Sequence, residues 1–147
     1  MRKTFFPVIA GLLVSASPLF AQATSPVADA LRGSLAGATR NLVAAAEEMP
    51  ADKYSYHPTE AQMTFGQLVL HVATSNEFLC SRISGTTAPT EAKLTATSPK
   101  AELVARMKRS FAYCETSFAK LNDSGLTDSV PFFGGSKVTR AAVVDRA

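Results

Sequence analysis

From residue 27 onward, large apolar side chains return every four then every three positions in three separate stretches. Between Val27 and Met49 they fall at Leu31, Leu35, Leu42 and Met49, with Ala38 and Ala45 filling the steps. That spacing is one face of an α-helix. Ser25-Pro26 opens this helix and Pro50 closes it. Gly33 and Gly37 read as tolerated glycines, each costing about 1 kcal/mol against alanine. A second stripe runs through Phe65, Leu68, Val72, Leu79 and Ile83. Thr64 and Gln67 have the spacing of a capping box, and Gly85 is a natural left-handed stop. The third stripe is Leu103, Met107, Phe111, Cys114, Phe118 and Leu121. Ser98 is the expected cap there, with Pro99 at the first helical position.

The segments between are polar or turn-rich. Residues 50–63, "PADKYSYHPTEAQM", form a loop in which Tyr54 and Tyr56 are expected to tuck against the bundle end. "NDSGLTDSVPFFGG" breaks the third helix, and Phe132 and Phe133 read as a hydrophobic plug. Thr139 could cap a fourth helix, followed by "RAAVVDRA" alone. Three amphipathic helices of about 22 residues want a fourth to close their core. The expected fold is all-α, a four-helix bundle whose fourth helix is a stub. A three-helix bundle with a short tail is the alternative.

The start of the chain changes how its charge is read. Arg2 and Lys3 precede an apolar run from Phe5 to Ala16, and Ala21-x-Ala23 makes a cleavage pattern. This is a secretory signal peptide, residues 1–23, cut after Ala23, and the expected location is periplasmic or secreted. The run is shorter than the roughly 20 residues of a membrane span. The chain has 15 Lys+Arg against 12 Asp+Glu, and removing Arg2 and Lys3 leaves 13 against 12. No nucleic-acid footprint remains, and no membrane partner is expected once the signal is gone. Residues 24–147 make one small domain.

Two cysteines in an exported chain allow one disulfide. Cys80 lies 16 residues after Thr64, and Cys114 lies 16 after Ser98. Antiparallel second and third helices would put the sulfurs at different levels, whereas parallel ones bring them to the same height. The 13 residues from Thr86 to Ser98 are long enough, at about 3.3 Å each, for the overhand link that parallel helices need. A Cys80–Cys114 bridge therefore goes with an up-down-down-up order. Two buried thiols are the alternative.

His71 is the candidate site residue. It sits beside Leu68 and Ser75 on the flank of the second stripe, where bundles build metal sites from inward side chains. A lone histidine there is more often structural, and spacing leaves both readings open. His57, beside Pro58, should be solvated, and Glu77 should face water. The chain contains no HxxxH, HExxH, CxxC, GxSxG or glycine-rich phosphate loop, so spacing alone names no reaction.

The stretch "MPADKYSYHPTEAQMTFGQLVLHVATSNEFLCSRISG" resembles the second-helix signature of the DinB/YfiT-like family of metal-dependent proteins. There a Y-x-F/Y-x-P-T loop leads into T/S-F-G-x-L-x-x-H. Here these are Tyr54, Tyr56, Pro58 and Thr59, then Thr64, Phe65, Gly66, Leu68 and His71. "KAELVARMKRSFAYCETSF" is similar to the third helix of exported members, and the likeness extends over most of residues 27–140. It implies an up-down-down-up bundle with His71 as first ligand of a divalent metal, zinc, nickel or iron. The family's other two ligands, an H-x-x-x-H pair on the fourth helix, have no counterpart, and a truncation or frameshift near Val138 to Ala147 is suspected. By resemblance the function is hydrolysis or thiol-dependent transfer on an unknown small molecule, with an incomplete metal site. The alternatives are a non-catalytic bundle that binds a small apolar ligand or forms a homodimer through the open face, and an inactive fragment.

Overall fold

The computed structural model describes residues 25–147, so the signal peptide expected over 1–23 lies outside the described residues. Four helices form: α1 Pro26–Glu48, α2 Phe65–Ser84, α3 Lys100–Ala119 and the five-residue α4 Arg140–Val144. A two-stranded antiparallel hairpin, β1 Ser129–Pro131 and β2 Lys137–Thr139, precedes α4. Its register pairs Val130 with Val138, and Gly134 and Gly135 turn it with φ of 62° and 77°. The hairpin was not expected from the sequence, where its short strands hide in a turn-rich stretch.

Helix ends follow local chemistry, with two departures. Thr64 and Gln67 form the capping box on α2, and Gly85 ends it at φ 70°. On α1 Ser25 makes no side-chain cap; instead the backbone N–H groups of Val27 and Ala28 donate to the Asp123 carboxylate at 3.2 and 2.9 Å. A carboxylate 95 residues away thus serves the positive end of the helix. On α3 the cap position is Pro99, and Ser98 Oγ accepts from Thr95 N at 3.0 Å instead.

Side-chain pairs fix the helix directions. Between α2 and α3 the offset is constant: Asn76 Nδ2 donates to Ser110 Oγ at 3.2 Å, and Cys80 bonds to Cys114, both 34 residues apart. A constant difference means parallel helices. Between α1 and α3 it is the sum that holds. Arg32 Nη1 donates to Phe118 O and Leu121 O at 3.0 and 3.2 Å at one end. At the other, Lys100 Nζ donates to Glu47 O and Met49 O at 2.6 and 2.8 Å. These helices are antiparallel. Arg140, opening α4, donates to Ile83 O near the end of α2, while Arg146 lies level with Thr74 to Phe78. The order is up-down-down-up, and the link from α2 to α3 runs overhand.

That link is tied to α3. Arg106 Nη1 donates to Ala92 O at 3.2 Å, Arg109 pairs with Glu91 at 2.7 Å, and Tyr113 Oη donates to Thr86 O at 3.0 Å. Glu77, expected in water, accepts from Arg106 Nε and Nη2 at 3.0 and 2.7 Å. The two side chains are only 13% and 11% exposed.

The core centres on α3, whose expected stripe is buried in full. On α2 the buried line is Gly66, Val69, Ala73, Asn76, Cys80 and Ile83. It is rotated by about one residue, roughly 100°, from the larger apolar residues of the expected stripe. Of those, Leu79 and Ile83 are buried, Phe65 and Val72 half-buried, and Leu68 is 48% exposed. On α1 the buried residues are Ala28, Leu35 and Ala46, while Leu42 is 41% exposed. On both helices small residues, Ala28 and Ala46 on α1 and Gly66 and Ala73 on α2, take many of the buried places. The helices' larger apolar residues lie on flanks that five residues of α4 do not cover.

A candidate ligand cleft at His71

The entry of α2 explains most of the loop-plus-helix motif. Tyr54 O and Tyr56 O accept from Gly66 N and Phe65 N at 2.8 and 2.9 Å, satisfying N–H groups of the first turn. Tyr54 is buried, its ring edge-on to Phe65 at 5.1 Å and its hydroxyl donating to Ala46 O at 2.6 Å. Burial raises its pKa above the usual 10.0. Tyr56, expected to tuck in as well, is exposed. Gly66 faces the overhand link: a Cβ there would stand 2.5 Å from Ala96 O. These residues wire the bundle end, and His71 is the motif residue left for chemistry.

His71 is exposed near the middle of α2. Its carbonyl accepts from Thr74 Oγ1 at 3.0 Å, and its side chain borders a cleft of about 490 Å³. The other histidine, His57, is exposed as expected, with Nδ1 2.7 Å from Thr59 O. From α2, Thr74, Ser75, Phe78 and Leu79 line the cleft, while Phe132, Phe133 and Arg146 close its far side. The α2 residues fall at 71, 74, 75 and 78, one helical face. That face was readable in the sequence as the continuation of the His71 flank, and Phe78 was the residue missed.

The far wall is aromatic. Phe133 stacks on Phe78 with centroids 4.3 Å apart and planes 15° from parallel, and Phe132 meets Phe133 edge-on at 4.7 Å. Arg146 lies 5.6 Å over Phe132, a cation–π distance. The pair expected to plug the bundle end therefore forms one side of the cleft, carried there by the hairpin turn. Phe133 remains 63% exposed. The cleft offers flat apolar contact, one imidazole able to donate or accept, and one guanidinium.

A catalytic metal centre takes about three protein ligands plus an open position. Among the described residues no three His, Cys, Asp or Glu side chains come together. Cys80 and Cys114 are bonded to each other, Glu77 is held by Arg106, and Glu91 by Arg109. The Arg109 hydrogen bond also keeps the Glu91 carboxyl below its ordinary value of 4.5. His71 is a single donor, and this donor set does not fit a catalytic metal centre.

No curated protein and no solved structure matches the chain. The family profile of the DinB superfamily matches residues 34–146, from the third turn of α1 to the tail beyond α4. With that match over most of its length, and with the motif at the entry of α2, the chain belongs to the DinB superfamily.

Proposed function

We propose that this DinB-superfamily protein is a small-molecule-binding bundle whose site is the His71 cleft, and that its ligand is a flat, largely apolar molecule. One observation carries the reading: an aromatic stack, Phe78 on Phe133, left open to solvent beside an exposed imidazole in a cleft of about 490 Å³. That volume falls within the range of small-molecule sites, roughly 300–1,000 Å³. Stacking on such a face contributes about 0.5–1.5 kcal/mol beyond area burial, and His71 would orient a polar edge of the ligand. The test is a fluorescence titration with a naphthalene-type dye on the wild type and on Phe133→Ala. Saturable binding weakened about tenfold by the substitution is expected. Equal binding by both proteins would overturn the reading.

A second reading follows from the place of His71 in the motif. Metal-dependent hydrolysis or thiol transfer would use His71 as first ligand, with the remaining donors supplied from outside residues 1–147. Calorimetric titration with zinc or nickel should then show binding that His71→Ala abolishes. Binding unchanged by that substitution would remove His71 from any metal site.

Export is part of the proposal. The leader pattern at 1–23 supports it, and so does the buried cystine, since disulfides persist in oxidising compartments. The secreted protein should begin at Thr24, which N-terminal sequencing checks.

A further inference from the structure

On the other side of Phe78 from the His71 cleft lies a second pocket, of about 410 Å³, between the end of α2 and the hairpin. Arg82, Thr86, Thr87, Pro131 and Arg140 are among the residues that line it. Its two arginines are in different states. Arg140 is fully engaged: Nε donates to Gly125 O at 3.1 Å, Nη2 meets Asp128 Oδ2 at 3.2 Å, and Nη1 donates to Ile83 O. Arg82 is not. Its guanidinium lies 4.8 Å over the Phe78 ring, and its buried Nε has no hydrogen-bond partner among the described residues. Among the described residues none of the ion pairs includes it.

Nε is closed to solvent, whereas Nη1 and Nη2, which also make no hydrogen bond among the described residues, stay accessible and are the groups a pocket ligand would meet. The guanidinium is a planar fork of five donors suited to carboxylate and phosphate oxygens. Stacking on Phe78 fixes its plane and keeps it charged without consuming its hydrogen bonds. Asp128, Glu77 and Glu91 are each paired with another arginine, Arg140, Arg106 and Arg109. The C-terminal end of α2 carries partial negative charge that opposes an anion, and Arg140, donating to Ile83 O, offsets it.

We infer that this pocket is a binding site for an oxyanion group, a carboxylate or a phosphate, held by the Arg82 guanidinium, with Thr87 among the residues of the same pocket wall. This site is separate from the His71 cleft and does not depend on what that cleft binds.

The direct test follows arginine side-chain Nε–Hε signals by NMR while inorganic phosphate, and in a second arm acetate, is added to the wild-type protein. The Arg82 signal is assigned by its loss in Arg82→Lys. Saturable movement of that signal, with those of Arg106 and Arg109 unmoved, is the expected result. Those two are internal controls because they lie outside the pocket and their Nε atoms already donate to Glu77 and Glu91. Response to phosphate alone assigns a phosphate site, and response to acetate as well assigns a general carboxylate and phosphate site. No movement of the Arg82 signal, or equal drift of the Arg106 and Arg109 signals, would overturn the inference. As a second readout, phosphate should raise the melting temperature of the wild type at constant ionic strength, with at least tenfold higher phosphate needed in Arg82→Gln. An equal rise in both would likewise count against it.

Discussion

Removing the Cys80–Cys114 bridge should be the most damaging single change to this bundle. The bond joins parallel α2 and α3 across a sequence separation of 34 residues, with Cα atoms 5.2 Å apart and both cysteines buried. In the chain-entropy treatment, closing a loop of 34 residues removes roughly 12–13 cal/mol/K from the unfolded ensemble, or about 3.8 kcal/mol at 25 °C. The double variant Cys80→Ala/Cys114→Ala also loses two buried sulfurs, adding about 1 kcal/mol of lost packing. A loss of about 4–5 kcal/mol is large against the 5–15 kcal/mol typical of whole domains. Urea denaturation followed by far-UV circular dichroism, on the wild type and the double variant at equal concentration, measures it. Reduction should also be slow under native conditions and fast in urea, because both sulfurs lie in the core. A loss below about 1 kcal/mol would refute the reasoning, and rapid native-state reduction would refute the burial on which it rests.

Other changes should separate by mechanism. Gly33→Ala should stabilise the protein by about 0.5–1 kcal/mol, since its Cβ meets nothing within 4 Å. Gly66→Ala should instead destabilise it despite the better helix former, because Ala96 O stands 2.5 Å from that Cβ; thermal melts of the two variants should move in opposite directions. Glu77→Ala leaves the 11%-exposed Arg106 without its charge partner and should cost about 2–4 kcal/mol by urea denaturation. The pKa of Glu91 is lowered in the fold by Arg109. Its contribution is therefore complete above the ordinary value of 4.5 and lost as pH falls through the depressed one. Glu91→Gln should flatten the stability profile in that acid range while changing little of its shape at neutral pH.

The sequence exposed the fold more clearly than the site. On α3 every residue of the expected stripe from Leu103 to Leu121 is buried, because that helix is packed from both sides, while the buried Val104, Ser110 and Ser117 lie beside the stripe and were not found by the spacing. On α1 and α2 the same rule found only part of the buried line, Leu35, Leu79 and Ile83. Small residues such as Ala28, Ala46, Gly66 and Ala73 hold many of the other buried places, and a search for large apolar residues passes over them. Parallel α2 and α3 were legible from the matched depths of the two cysteines. The exposed histidine was legible too, but its neighbours Phe132, Phe133 and Arg146 reach it through a hairpin whose three-residue strands leave no period to read. Asp123 capping α1 and Arg106 holding Glu77 were hidden for a related reason, since both are long-range pairs without a local signature.

The most direct measurement of the central claim is a two-dimensional ¹H–¹⁵N NMR titration of the full chain, His71 ring signals included, with a small flat aromatic such as indole. The expected result is saturable shifts confined to His71, Thr74, Ser75, Phe78, Leu79, Phe132 and Phe133. Shifts elsewhere on the bundle, or none at concentrations approaching the solubility limit of indole, would contradict a ligand site at the His71 cleft.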